Sequence, residues 1–230
     1  MNLQKRNCDI HMSLVPYGGA CTGVYLTIAG DKHCFIISNV LGDQFEDFLS
    51  ILYQLHPSNI VDEVGAHAIE RKIACDAYID GEYKTVKIVD NPDECQGFRA
   101  FHAVPWKAHF TWNEEGNESV WELEREPTDD LDFDLRVSID HKGKHFQYTV
   151  RYADLCYAAT KACTEALKKH GFTGYHSATY TQDFNVRQLL FLKGVALGNL
   201  DACELTYDEE NDVGETSDFA KELALLTFDM

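Results

Sequence analysis

The chain has 230 residues and carries 38 Asp and Glu against 20 Lys and Arg, for a net charge of −18. That charge opposes binding to nucleic acid and to anionic membranes and favours a basic partner, or simply solubility. Hydrophobic residues at 45% and aromatics at 12% supply a substantial core, which excludes a disordered chain. No apolar run is long enough to span a bilayer, and Met1–Val15 lacks the apolar stretch of a signal peptide. The eight cysteines are spread evenly with no Cys-x-x-Cys pair, which predicts reduced thiols and a cytoplasmic protein.

Residues 1–13 read as a poorly ordered start. Thr22–Ile28 alternates with Val24, Leu26 and Ile28 on one face, Ala29–Lys32 reads as a turn, and His33–Ser38 as the returning strand. A helix follows over about Asp43–His56, with Phe45, Phe48, Leu49, Leu52 and Leu55 on its apolar face and Pro57 just beyond its end. Lys72–Ile79 and Glu82–Val89 flank Asp80-Gly81, a dipeptide that closes tight hairpins. Phe98–Val104 and Lys107–Trp112 read as strands separated by Pro105, and Ser119–Glu124 as another. Leu131, Phe133, Leu135, Val137 and Ile139 alternate with polar residues, the signature of a sheet with one buried and one wet face.

Phe146, Tyr148 and Val150 lead into a helix over about Tyr152–His170, with Gly171 as its C-terminal cap. A second helix, about Phe184–Leu197, takes Asp183 as its N-cap and is apolar nearly all round, so other elements must cover it. Beyond Asn199 the chain turns acidic; 207–217 is expected to be mobile, before a short helix over about Asp218–Leu226. The predicted fold is therefore α+β: a mostly antiparallel meander, an N-terminal hairpin plus helix, and a C-terminal helical pair packed on one face. Residues 1–200 are read as one domain, with a subdivision near residue 68 as the alternative, and 201–230 as an acidic C-terminal segment.

No motif fixes a reaction. Gly18 and Gly23 have phosphate-loop spacing, but Val24-Tyr25 stands where Lys-Ser/Thr is required. Cys21 as a nucleophile would need a histidine brought to it by the fold. Neither a metal site nor a cofactor site is predicted, because the histidines show no ligand spacing. The connection between the two late helices carries His176 and Asp183, which with Cys21 are the weak catalytic candidates of a hydrolase-like alternative.

The strongest compositional signal is acidic. Glu114, Glu115, Glu122, Glu124, Asp132 and Asp134 fall in one block, with Trp112 and Trp121 within or beside it. These eight residues are the predicted contact surface for a basic protein, and the leading expectation is a non-enzymatic binding protein that masks such a partner. An immunity protein that neutralises a toxin such as a nuclease is one form of it, by analogy of charge and size. A third reading is an oligomerisation module in which another subunit covers the apolar second helix.

Overall fold

A computed structural model of the chain describes residues 8–17, 21–38, 44–59, 68–98, 100–114, 116–125, 131–179, 185–200, 206–208 and 213–230. Of these, 68, 101, 172–179, 206–208 and 213–215 are described by backbone alone. The fold is α+β, with a mostly antiparallel sheet and helices packed against it. Among the described residues no helix is long and apolar enough to cross a membrane.

Three strands open the chain: β1 (His11–Tyr17), β2 (Cys21–Ile28) and β3 (Asp31–Ser38). Residues 1–7 lie outside the described residues, and from residue 8 onward the expectation of a poorly ordered start is corrected, because Ile10, Met12 and Leu14 alternate into the core. Ala29-Gly30 joins β2 to β3 with φ of 51° and 89°, the two left-handed residues of a type I′ turn. Helix α1 (Gln44–Leu55) is buried on more than the expected stripe, since Ile51 and Gln54 are also buried. Its first residue fastens it to the sheet. The Gln44 side chain bonds the Ser38 carbonyl and the Asn113 backbone, and Trp112 Nε1 donates to the Gln44 carbonyl at 3.1 Å.

β4 (Ala68–Ile79) and β5 (Glu82–Val89) form the hairpin expected at Asp80-Gly81, with φ of 54° and 92° in the turn. The next strand, β6 (Ala100–Glu114), corrects the division at Pro105. Arg71 pairs with Pro105 and Glu70 with Lys107, so Trp106 is the extra residue of a bulge, a place where proline is tolerated in a sheet. β6 joins two regions. Its first half pairs with β4, and its second half pairs with β7 (Asn117–Arg125). β8 (Asp134–His141) and β9 (Lys144–Arg151) complete an order β1-β2-β3-β6-β7-β8-β9, with β4 beside β6 and β5 at the outer edge.

The sheet coils. β3 meets β6 through one register pair, Ile37 and Glu114, yet His33 on β3 lies against Phe146 and Tyr148 on β9. The enclosed face holds an aromatic cluster in which Phe35, Phe48, Phe110, Trp112 and Trp121 lie with ring centroids 4.6–5.9 Å apart.

Helix α2 (Tyr152–Thr179) runs past Gly171, where φ of 65° and ψ of 170° break it, and helical backbone resumes beyond. Gly171 thus ends the first helical segment where the sequence predicts, and a second segment follows it within α2. Helix α3 (Val186–Ala196) is capped by Asn185, whose side chain accepts from Gln188 N at 3.2 Å, in place of the predicted Asp183. It packs against α1, α2 and α4 (Phe219–Thr227) of its own chain, so the apolar helix needs no second subunit to cover it.

The segment expected to be mobile contains a short hairpin, β10 (Thr206–Asp208) and β11 (Val213–Thr216). The terminal helix docks through Leu225 and the following Met230, both buried, while Phe219 and Leu223 are exposed. Lys193 is buried beneath this segment. It donates to the carbonyls of Leu226 and Phe228 at 2.9 and 3.2 Å, and burial pushes its pKa down to about 8.

Cys75 and Cys95 form a disulfide, which corrects the expectation of uniformly reduced thiols and removes the cysteine argument for a cytoplasmic address. The bond ties a single-turn helix at Pro92–Cys95 across one face of the β4–β5 hairpin. There Cys75, Val89 and Cys95 form a small core of their own, flanked by Ile73 and Phe98. So small a core holds little hydrophobic free energy, and the crosslink supplies what it lacks. Replacing Cys75 and Cys95 by serine should therefore speed amide exchange in β4 and β5 by a local loss of up to about 3 kcal/mol, the chain-entropy value for a loop near this length. Protection in β7 and β8 should stay unchanged, and loss there would show that the hairpin is not a separable unit.

Candidate binding surfaces

Strand alternation decides where the predicted contact residues fall. Trp112 shares its face of β6 with Ala108 and Phe110, and Trp121 shares its face of β7 with Leu123 and Arg125. Both tryptophans are buried in the aromatic cluster, at 1% and 0% exposure. They are core residues and present nothing to a partner. Glu114 is also buried, which corrects its placement on the surface. Its Oε2 accepts from Ile36 N at 3.2 Å, and its Oε1 accepts from the Ser119 hydroxyl and lies 3.0 Å from His141 Nε2. One carboxylate thus links β3, β6, β7 and β8. Burial pushes the pKa of His141 down, and the nearby Glu114 opposes that shift.

Glu122, Glu124, Asp132 and Asp134 lie on the outer side of the sheet, where they are interleaved with cations. Glu122 lies 2.8 Å from Lys107 and 3.4 Å from His109, and Glu124 lies 3.0 Å from Arg136. Arg151 bridges Asp132 and Asp134 at 2.6 and 3.3 Å. The hydrogen bond that Lys107 donates to Glu122 pushes its pKa up, and the one that Arg151 donates to Asp132 does the same for Arg151. The face is a ladder of opposite charges and not a bare acidic field.

Of the catalytic candidates, the described side chains include Cys21 alone. Cys21 opens β2, buried, opposite Tyr17 and Ser38. The His176 side chain, Asp183 and Glu115 lie outside the described residues. Among the described residues no group of three His, Cys, Asp or Glu side chains is placed to hold a metal ion.

Two buried polar groups went unseen in the sequence. Arg125 is fully buried at the C-terminal end of α1, where Nη1 donates to the Leu55 carbonyl at 3.2 Å and the guanidinium lies 4.6 Å from the Phe133 ring centre. A cation at this helix end also meets the negative pole of the dipole. His56 is fully buried beside it. Its Nδ1 lies 2.7 Å from the Ser58 hydroxyl and 3.3 Å from Ser58 N. Burial first, and the Arg125 charge second, push its pKa down to about 4. A cleft of about 300 Å³ opens nearby between Asp132, Ala153 and Val195, with His56 behind its wall.

Exposed aromatics occur at Tyr17 and Tyr25 on β1 and β2, at Phe219 on α4, and as a facing pair on the β4–β5 hairpin, which the sequence reading passed over. Tyr78 and Tyr83 stand directly opposite each other, 54% and 57% exposed, with ring centroids 5.2 Å apart in an edge-to-face contact. Directly opposite residues share a face, so Asp76 and Thr85 continue it. Thr85 donates to Asp76 Oδ1 at 2.8 Å, and His102 Nδ1 lies 3.0 Å from its Oδ2. Ile79 and Val86 are exposed on the same hairpin. The available signal was a tyrosine on each side of Asp80-Gly81, which a two-residue turn brings into register. No family model matches this chain, and no curated protein or solved structure matches it.

Two measurements check this partition. Glu114→Ala strips the acceptor from Ser119 and Ile36 and the carboxylate from beside His141, and should cost about 3–5 kcal/mol in urea unfolding, whereas Glu122→Ala should cost about 1 kcal/mol or less. Equal costs would refute the division into a core carboxylate and a surface pair. The second concerns His56, whose pKa is about 4 folded against an ordinary 6.5. Between those values the unfolded chain binds a proton that the folded chain does not, so stability rises with pH across that window and is lost on acidification. At roughly 1.4 kcal/mol per pKa unit, His56→Asn should flatten the stability slope between about pH 4 and 6.5 by some 2–3 kcal/mol, read from denaturant midpoints at the two ends.

Proposed function

We propose that this chain is a non-enzymatic binding protein that engages and masks a basic protein partner. The observation that carries this reading is the net charge of −18. Such an excess costs stability through self-repulsion, and it raises the encounter rate with a cationic surface while repelling nucleic acid and anionic lipid. An antidote that covers the active site of a toxin such as a nuclease is one protein of this kind, since a nuclease carries positive charge to meet its own substrate.

The reading is tested by immobilising the chain, loading extract of the source cell at low salt, and raising the salt. A single basic protein should leave at moderate salt and rebind when purified, with an association rate that falls steeply as ionic strength rises. An association rate indifferent to salt, or no retained protein, would overturn it.

A further inference from the structure

The exposed aromatic pair on the β4–β5 hairpin has the makings of a docking point. Tyrosine is among the residues that dominate binding energy at protein interfaces, because it offers large contact area for few rotatable bonds. Tyr78 and Tyr83 are exposed on one face of the hairpin, Ile79 is exposed on the other, and a cleft of about 370 Å³ lined by Ala77, Tyr78, Gly97 and Phe98 lies beside the strand. The hairpin is already held in place by its type I′ turn, its small core and the Cys75–Cys95 bond. A surface ordered in advance gives up less entropy on binding.

Charge sets the kind of partner. Asp80 lies in the turn between the two tyrosines, exposed, with no ion pair among the described residues. Asp76 lies one pair further down the tyrosine face. Lys84 pairs with Ala77 and so falls on the opposite face, and Lys72 and Lys87 are engaged by Asp90 and Glu94. Asp76 is buried and already engaged by Thr85 and His102, so Asp80 is the carboxylate that the tip offers beside the open π-faces, whereas Glu122, Glu124, Asp132 and Asp134 on the main sheet already have cations. An arginine matches this pairing, since its flat guanidinium stacks on an aromatic ring while donating to a carboxylate.

Resting on the reading of a basic partner, we propose that the tip of the β4–β5 hairpin is where that partner docks. It takes an arginine-bearing segment whose guanidinium lies on the Tyr78 and Tyr83 rings beside Asp80.

The test uses the full chain labelled with nitrogen-15 and an acetylated, amidated Gly-Arg-Gly-Arg-Gly peptide, with Gly-Gln-Gly-Gln-Gly as the neutral control. Arginine peptide should shift amides over residues 76–85 at concentrations where the glutamine peptide does not. Replacing Tyr78 and Tyr83 together by serine should weaken binding roughly tenfold, two exposed cation–π contacts' worth. Asp80→Asn, which suits the same turn, should weaken it and flatten its salt dependence. Unchanged spectra outside the hairpin would confirm that each variant is folded.

Shifts confined to another acidic region, or unchanged affinity in the double variant, would overturn the docking point while leaving the basic-partner reading intact. Equal shifts from both peptides would overturn the role given to charge. No shift anywhere at millimolar peptide would overturn both readings. A concentration-dependent dimer that the double substitution dissolves would assign the tip to a second copy of the chain and overturn the proposal.

Discussion

The seam between β3 and β6 is the constraint on which the rest of this structure depends. One register pair, Ile37 with Glu114, joins the first three strands to the other six of the sheet. A sheet that changes direction at one pair exposes backbone groups unless side chains replace the missing ladder. Glu114 accepts the Ile36 N–H, and Gln44 bonds Ser38 and Asn113 from the start of α1. Because the seam is short, β3 is free to swing across to β9, where His33 and the Tyr148 hydroxyl meet at 2.8 Å and that hydroxyl donates to Asp31 at 3.0 Å. Burial and this acceptor push the Tyr148 pKa up to about 12. The coil that results brings Phe35 onto Trp112 and Trp121 and encloses one face of the sheet.

The same seam explains why β6 is long. With β3 holding only its end, the strand's first half is left to β4, and β5 extends the sheet away from the main core. Both faces of β5 are then largely exposed. That part of the sheet cannot draw on the central aromatic cluster, which accounts for its separate apolar group and its disulfide. It is also where large side chains stay uncovered. Packing in one region and exposure in the other follow from one irregular strand pairing.

The sequence was legible where a single period governs. α1 was placed by its 3.6-residue stripe, β8 by strict alternation, and two hairpins by Ala-Gly and Asp-Gly turns. It misled where two rules compete. Pro105 reads as a break, yet a bulge absorbs it, and the bulge depends on β4 some thirty residues earlier. β1 was missed because its short alternation, Ile10, Met12 and Leu14, gains stability only from β2 and α2. Asn185 and Asp183 are both good caps, and only the docked position of α3 chooses between them. The tryptophans are a different case. Trp121-Glu122-Leu123-Glu124 alternates plainly, and the period puts Trp121 with Leu123 inside. Reading the block by composition hid what its spacing stated.

Composition fails for charge in the same way. A net charge is a sum over the chain, and it determines the far field that a partner meets first. It does not say where contact is made, because an acid already held by arginine or lysine must give up that partner before it can serve another. On the main sheet Glu122, Glu124, Asp132 and Asp134 are held in this way. Such exposed pairs contribute about 1 kcal/mol or less to the fold, and they cancel locally the field that the total implies. The far field and the contact point therefore come from different residues. The acidic excess brings a cationic surface in, and the surface it can grip is one where aromatic area and an uncommitted carboxylate occur together. On the described surface the hairpin tip combines the two, and it does so because the coiled sheet has no further layer with which to cover it.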